Sequence, residues 1–200
     1  VRSRNKGLIA ITFKDGDSLL DAQLTNGHEQ IMIAAREGRC VRFDENDARE
    51  LGRNSMGVRG INIAEGDEVV GAISTDVNAP DASRYTVLVV SENGYGKRSN
   101  ADEYRLTARG AKGVLTLNVT EKTGKLVAIK SVTENNDIMI ITRSGLTIRM
   151  AVTGISLLSR ATQGVRLISL RDGDSIAAVS VVAHESEDES LSEVDEQVNE

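Results

Sequence analysis

Apolar residues in this chain come in short runs separated by polar, glycine-bearing turns. The runs are GLIAITF (7–13), EQIMIAA (29–35), RCVRF (39–43), YTVLVVS (85–91), DIMIIT (137–142), LTIRM (146–150) and IAAVSVV (176–182). Each is rich in β-branched residues and bounded by Gly, Asn or Asp, which predicts a β-strand. Between them, Arg36-Glu37-Gly38-Arg39, Glu92-Asn93-Gly94-Tyr95 and Arg143-Ser144-Gly145-Leu146 put glycine where a hairpin needs positive φ. No stretch carries a convincing helical period. The pattern predicts an all-β fold.

The pattern also repeats. Gly7, Gly57, Gly113 and Gly164 are spaced 50, 56 and 51 residues apart, and each precedes Leu or Val. In three copies an earlier glycine (Gly38, Gly94, Gly145) lies 19 residues upstream. Arginine follows that glycine at a fixed distance (Arg42, Arg98, Arg149), and a second arginine follows 11 residues later (Arg53, Arg109, Arg160). The unit is therefore Gly-x3-Arg-x10-Arg-x3-Gly-Val. A turn signal follows at Gly16-Asp17, Gly66-Asp67, Gly173-Asp174 and, displaced, at Thr123-Gly124-Lys125. A period near 50 with about four strands per unit is the mark of propeller blades. The units are read as a partial blade at 1–20 and repeats over 21–72, 73–128 and 129–183, so that the chain opens inside a unit.

Strand neighbours point to opposite faces. In RCVRF, Val41 and Phe43 share one face and Arg42 lies on the other; in LTIRM, Ile148 and Met150 oppose Arg149. The repeated arginine is thus expected on the solvent side, once per blade. Such a row of guanidinium groups suits the phosphates of duplex DNA, whose bending costs on the order of 1–6 kcal/mol over 20–30 base pairs. The candidate DNA-binding residues are Arg42, Arg53, Arg98, Arg109, Arg149 and Arg160, with Arg39, Arg59, Lys97, Lys112 and Arg166 beside the motifs. An alternative stands for the repeated arginines, more for Arg53, Arg109 and Arg160, which lie in loops next to glycines, and less for Arg42, Arg98 and Arg149: each could tie a hairpin to a neighbouring blade.

Charge sharpens this picture. The net charge of −6 is misleading, because residues 184–200 hold eight acids and no Lys or Arg. The rest of the chain has 22 acids against 24 bases. A mildly basic body followed by an acidic tail, expected to be disordered, is an asymmetry that bears on polyanion partners. With three Tyr, two Phe and no Trp, base-stacking platforms for single strands are not expected. One cysteine, Cys40, forms no intrachain disulfide, which fits a reducing compartment such as the cytoplasm. No apolar run approaches the roughly 20 residues of a membrane helix.

Catalytic chemistry is not expected. Arg84-Tyr85-Thr86 echoes a nucleophilic tyrosine site, but Tyr85 opens a strand inside a repeat and reads as a strand residue. His28 and His184 are far apart, zinc spacing is absent, and no Gly-x4-Gly-Lys-Ser/Thr loop occurs.

The ordered motifs GRCVRF with GRNSMGVRGI, ENGYGKR with ARGAKGVLTL, and RSGLTIRM with TQGVRLI resemble the C-terminal domain of the DNA gyrase A protein over residues 1–183. The resemblance implies a β-pinwheel, a propeller-like disc of four-stranded blades that exchange strands. It also implies double-stranded DNA wrapped on a basic rim in support of ATP-dependent negative supercoiling. It implies as partners the remainder of the gyrase A protein, with the gyrase B protein, in an A2B2 assembly. ATP and Mg are expected only for that parent enzyme, with no cofactor or metal in this segment. The family's disc has about six blades; here there are three to four, and the Gln-Arg-Arg-Gly-Gly-x-Gly box of its first blade does not occur. The related domain of the topoisomerase IV A protein and a propeller used as a protein-interaction scaffold remain as alternatives. Salt-dependent binding separates DNA contact from a protein scaffold.

Overall fold

The computed structural model describes residues 7–76, 78–81 and 84–184. The tail expected over 184–200 lies, apart from His184, outside the described residues, as do residues 1–6 of the partial blade. Among the described residues the strands are β1 (Glu29–Ala35), β2 (Arg39–Asp44), β3 (Val69–Asp76), β4 (Thr86–Ser91), β5 (Tyr95–Asn100), β6 (Val114–Leu115), β7 (Leu126–Val132), β8 (Asn136–Thr142), β9 (Thr147–Ala151), β10 (Val165–Arg166) and β11 (Ile176–Ala183).

They form three antiparallel sheets, ordered β3-β1-β2-β6, β7-β4-β5-β10 and β11-β8-β9. Each sheet grows from a hairpin. The three expected hairpin turns all occur, with φ of +81°, +79° and +89° at Gly38, Gly94 and Gly145. The expected strand over 7–13 does not form: that stretch is β-branched but finds no ladder partner. Its recorded backbone tie is Thr12 N–H to the Ser55 carbonyl. Propensity supplies a tendency, and pairing decides.

The fourth strand of a sheet comes from the next blade. β6 pairs with β2 (Arg39 opposite Leu115), and β10 pairs with β5 (Tyr95 opposite Arg166). After β5 the chain makes a 3-10 turn at Ala101–Glu103 and crosses to the first blade, where Thr107 N–H bonds the Arg42 carbonyl. It then contributes β6 to that blade before returning as β7. After β9 it does the same, with Leu158 N–H on the Arg98 carbonyl. At the return point the chain must lie against the neighbour's backbone. Gly113 (φ +71°) and Gly164 (φ +77°) sit there; a Cβ at Gly164 would fall 2.6 Å from the Gly96 carbonyl oxygen, and one at Gly113 would overlap the Cys40 carbonyl.

Stacking the blades makes the core. Met32, Ala34, Cys40 and Ile73 of the first blade bury against Val87, Val89, Leu126 and Ile129 of the second. Leu88, Val90 and Ala128 bury against Ile138, Ile140 and Val179 of the third. Adjacent residues of β4 thus face opposite neighbours, so the middle blade is covered on both faces.

Gly113→Ala and Gly164→Ala should each cost about 3 kcal/mol or more, because left-handed strain adds to backbone overlap. Gly16→Ala, at φ +86° with open space around it, should cost about 1 kcal/mol. Urea unfolding of the three variants checks the ordering.

Candidate nucleic-acid interface

The repeated arginines are not a solvent-facing stripe. Arg42 leaves β2 half-buried, with Nε on Gln30 Oε1 at 2.6 Å and NH1 on the carbonyls of Ala101 (2.7 Å) and Tyr104 (3.0 Å) in the next blade. Arg98 is buried, and its Nε donates to the Ile155 carbonyl at 2.9 Å. Ile155 holds in the third repeat the place that Tyr104 holds in the second. The first arginine of each of these blades therefore reaches forward and satisfies a carbonyl of the next blade's turn. Arg149 is exposed, with Nε on Asp137 Oδ2 (2.7 Å) and NH2 on the Ala183 carbonyl (2.9 Å). The expectation that this arginine stands on the solvent side is corrected for Arg42 and Arg98. The face opposite the apolar one is also covered, because another blade stacks on it.

The second arginine reaches backward. Arg109 donates Nε to the Asp47 carbonyl (3.1 Å) and NH1 to the Arg59 carbonyl (2.6 Å). Arg160 repeats this in register, with Nε on the Glu103 carbonyl (2.9 Å) and NH1 on the Leu115 carbonyl (2.8 Å). Its backbone N–H also bonds Glu103 Oε2 at 2.9 Å. For Arg109 and Arg160 the alternative reading, a tie to the neighbouring blade, is the one realised. Arg160 holds a turn and the exchanged strand β6 together, satisfying half-buried carbonyls, whereas Arg109 makes the corresponding bonds at a more exposed place. Arg53 occupies the same repeat position and is exposed.

Lys97 is fully buried, with Nζ on the Ser159 carbonyl at 2.6 Å. Burial pulls its pKa down to about 8; Glu103 nearby works against that shift and Arg160 reinforces it. It too is corrected from surface cation to interblade tie. The candidates left exposed are Arg39, Arg53, Arg59, Lys112, Arg149 and Arg166.

The sequence reading missed Asp47 and Glu103. The signal existed, since each lies five residues after the first arginine of its unit. It also missed Lys122, whose Nζ lies 5.4 Å from the centroid of the Tyr95 ring. Cys40 is buried, and burial pushes its thiol up to about 12. Among the described residues no group of three His, Cys, Asp or Glu could hold a metal, and no helix is long and apolar enough to cross a membrane.

Blades whose outermost strand belongs to the next blade, riveted by arginines that reach both ways, define a strand-exchanging β-propeller repeat. The chain belongs to the DNA gyrase C-terminal domain family, described as a beta-propeller, whose sequence model matches residues 1–26, 29–76, 85–133 and 136–183. It is 45% identical over 188 residues to the DNA gyrase A protein of Staphylococcus aureus strain NCTC 8325, covering 94% of this chain and 21% of that one. Against the same protein of strain MRSA252 it is 44% identical over 192 residues, 96% and 21% of the two chains. The chain thus spans about a fifth of the length of these relatives. The solved DNA gyrase A C-terminal domain superposes with a TM-score of 0.77 at 29% identity, over 88% of this chain and 58% of that one. The topoisomerase IV C-terminal domain shares the fold, with a TM-score of 0.82 at 21% identity over 97% and 59% of the two chains.

Two outcomes follow for the arginines and Lys97. Arg160→Ala should cost about 1–3 kcal/mol, leaving two half-buried carbonyls without their donor, whereas Arg53→Ala should change stability by no more than about 0.5 kcal/mol; thermal melts separate them. In the unfolded chain Lys97 keeps its proton to about 10.5, but in the fold only to about 8. Unfolding between those values takes up a proton, so this group's contribution to stability rises with pH across that window. The stability of wild type relative to Lys97→Met should climb from pH 8 to 10, and a flat difference would refute the assignment.

Proposed function

We propose that this chain is a DNA-binding and DNA-bending module of a type II topoisomerase, gripping duplex DNA by its phosphates without reading base sequence. The observation that carries the reading is the set of exposed cations, Arg39, Arg53, Arg59, Lys112 and Arg166, left over once the other repeated bases are committed between blades, in a chain 45% identical to a DNA gyrase A protein. Phosphate contacts are insensitive to sequence, and several of them offset the work of bending the duplex. Tyr95 and Tyr104 are buried, so they offer no surface on which unpaired bases could stack. In the parent enzyme such a bent segment would serve ATP-dependent negative supercoiling. The rest of the gyrase A protein, together with the gyrase B protein, would supply the cleavage and ATP chemistry, with its Mg, in the cytoplasm that holds the chromosome.

Fluorescence anisotropy with unrelated duplexes of about 40 base pairs tests this. Affinities should agree across sequences, and log K should fall linearly with log salt at about −0.9 per phosphate contact. Energy transfer between dyes on the two duplex ends should rise on binding. Sequence-selective or salt-insensitive binding, or none, would refute the reading.

A further inference from the structure

We infer that the corner where a blade receives its neighbour's strand is a phosphate-contact point, with one guanidinium per corner supplied by either of the two paired strands. This rests on the DNA-binding reading above and says where on the edge the contacts fall. In the first blade the corner pair is Arg39 of β2 opposite Leu115 of β6. In the second it is Tyr95 of β5 opposite Arg166 of β10. By repeat position Arg39 corresponds to Tyr95, and Leu115 corresponds to Arg166. The arginine has changed strands, but the corner keeps it. Both arginines are exposed. Arg59 stands in the first unit where Leu115 and Arg166 stand in the next two, two residues past the return glycine, and it is exposed as well.

Each corner carries a second cation. At the first, Arg39 NH1 meets the Gly113 carbonyl at 3.4 Å, and exposed Lys112 is the preceding residue. At the second, Arg166 donates NH2 and Nε to the Tyr95 hydroxyl (3.0 and 3.3 Å), and its guanidinium carbon lies 5.6 Å from the ring centroid. Lys122 approaches the same ring at 5.4 Å. The Tyr95 ring, only 7% exposed, attracts both cations and restricts their rotamers. Neither Lys122 nor Arg166 is ion-paired with a carboxylate among the described residues. Two like charges gathered at one ring without a counter-charge gain most from an anion that reaches both. A phosphodiester offers two charged oxygens to a guanidinium fork and an ammonium together. Tyr95 is then a positioning residue: it fixes the fork without touching the phosphate.

The test uses this chain with Arg39→Gln, Arg166→Gln, their double variant, Arg166→Lys and Tyr95→Phe, titrated with a duplex of about 40 base pairs between about 0.05 and 0.3 M salt. Each Gln variant should make the salt slope shallower by about 0.9, the double variant by about 1.8, equally for unrelated sequences. Arg166→Lys should restore the slope with weaker affinity. Tyr95→Phe, which keeps the ring and removes the hydroxyl that accepts both Arg166 bonds, should leave the slope unchanged and weaken binding about 2- to 5-fold. Because Arg39 is exposed, its variant should melt with wild type; Arg166→Gln gives up bonds to the Tyr95 hydroxyl and should melt lower but still fold, so its slope is read well below its own melt. Wild-type slopes in both Gln variants, alongside intact binding by wild type, would overturn the corner assignment alone. A wild type that shows no salt-dependent binding would overturn both this inference and the reading beneath it.

Discussion

The structure depends on arginine hydrogen bonds to main-chain carbonyls across blade boundaries. Exchanging a strand removes a segment from its own sheet and lays it on a neighbour's. The turns that lead out and back then expose carbonyls at a seam that stacking closes to water. Buried carbonyls need donors. Arg42 and Arg98 supply them forward, to Tyr104 and Ile155, and Arg160 backward, to Glu103 with Leu115; Arg109 repeats the backward reach, to Asp47 with Arg59, nearer to solvent. A guanidinium suits the task because its planar fork spans two carbonyls on different segments and it stays charged at the seam. The spacing of the arginines along the chain is the spacing of the seams.

That commitment divides the basic residues into two sets. Those in the seams rigidify the stack. Those left outside, Arg39, Arg53, Arg59, Lys112, Lys122 and Arg166, carry charge that the seams do not consume. The division lets a body with only a slight basic excess present cations to a polyanion, because acids share in the internal work. Glu103 caps the Arg160 N–H, Asp137 holds Arg149, and Glu68 and Glu92 flank Arg36.

The two ends of the stack differ from its middle. In β5 five of six residues are buried, Lys97 and Arg98 included, since a blade lies on either side. In β9 no residue is fully buried, and its alternation survives, with Ile148 and Met150 more covered than Thr147 and Arg149. On the opposite end, Leu19 and Leu20 are exposed and line a cavity with Ile61, which belongs to a cluster with Val41 and Phe43. The same motif thus meets different environments according to how many blades touch it.

The hairpins, the return glycines and the propeller period were legible in the amino-acid order, because they rest on local geometry: positive φ, β-branched runs and a fixed repeat. Strands that depend on distant partners were not. β5 (YGKRSN) has poor strand propensity and is held by ladders to β4 and β10; β6 and β10 are two residues long and exist only as exchanged strands; GLIAITF has the propensity and no partner. The side taken by the arginines was decided only by tertiary structure. Alternation along a strand states which residues share a face, but whether that face meets water or another blade depends on stacking. Arg39 and Arg166 stood among the candidates in the amino-acid order, but their common corner did not: they share a structural position only through strand exchange, so no period along the chain brings them into register.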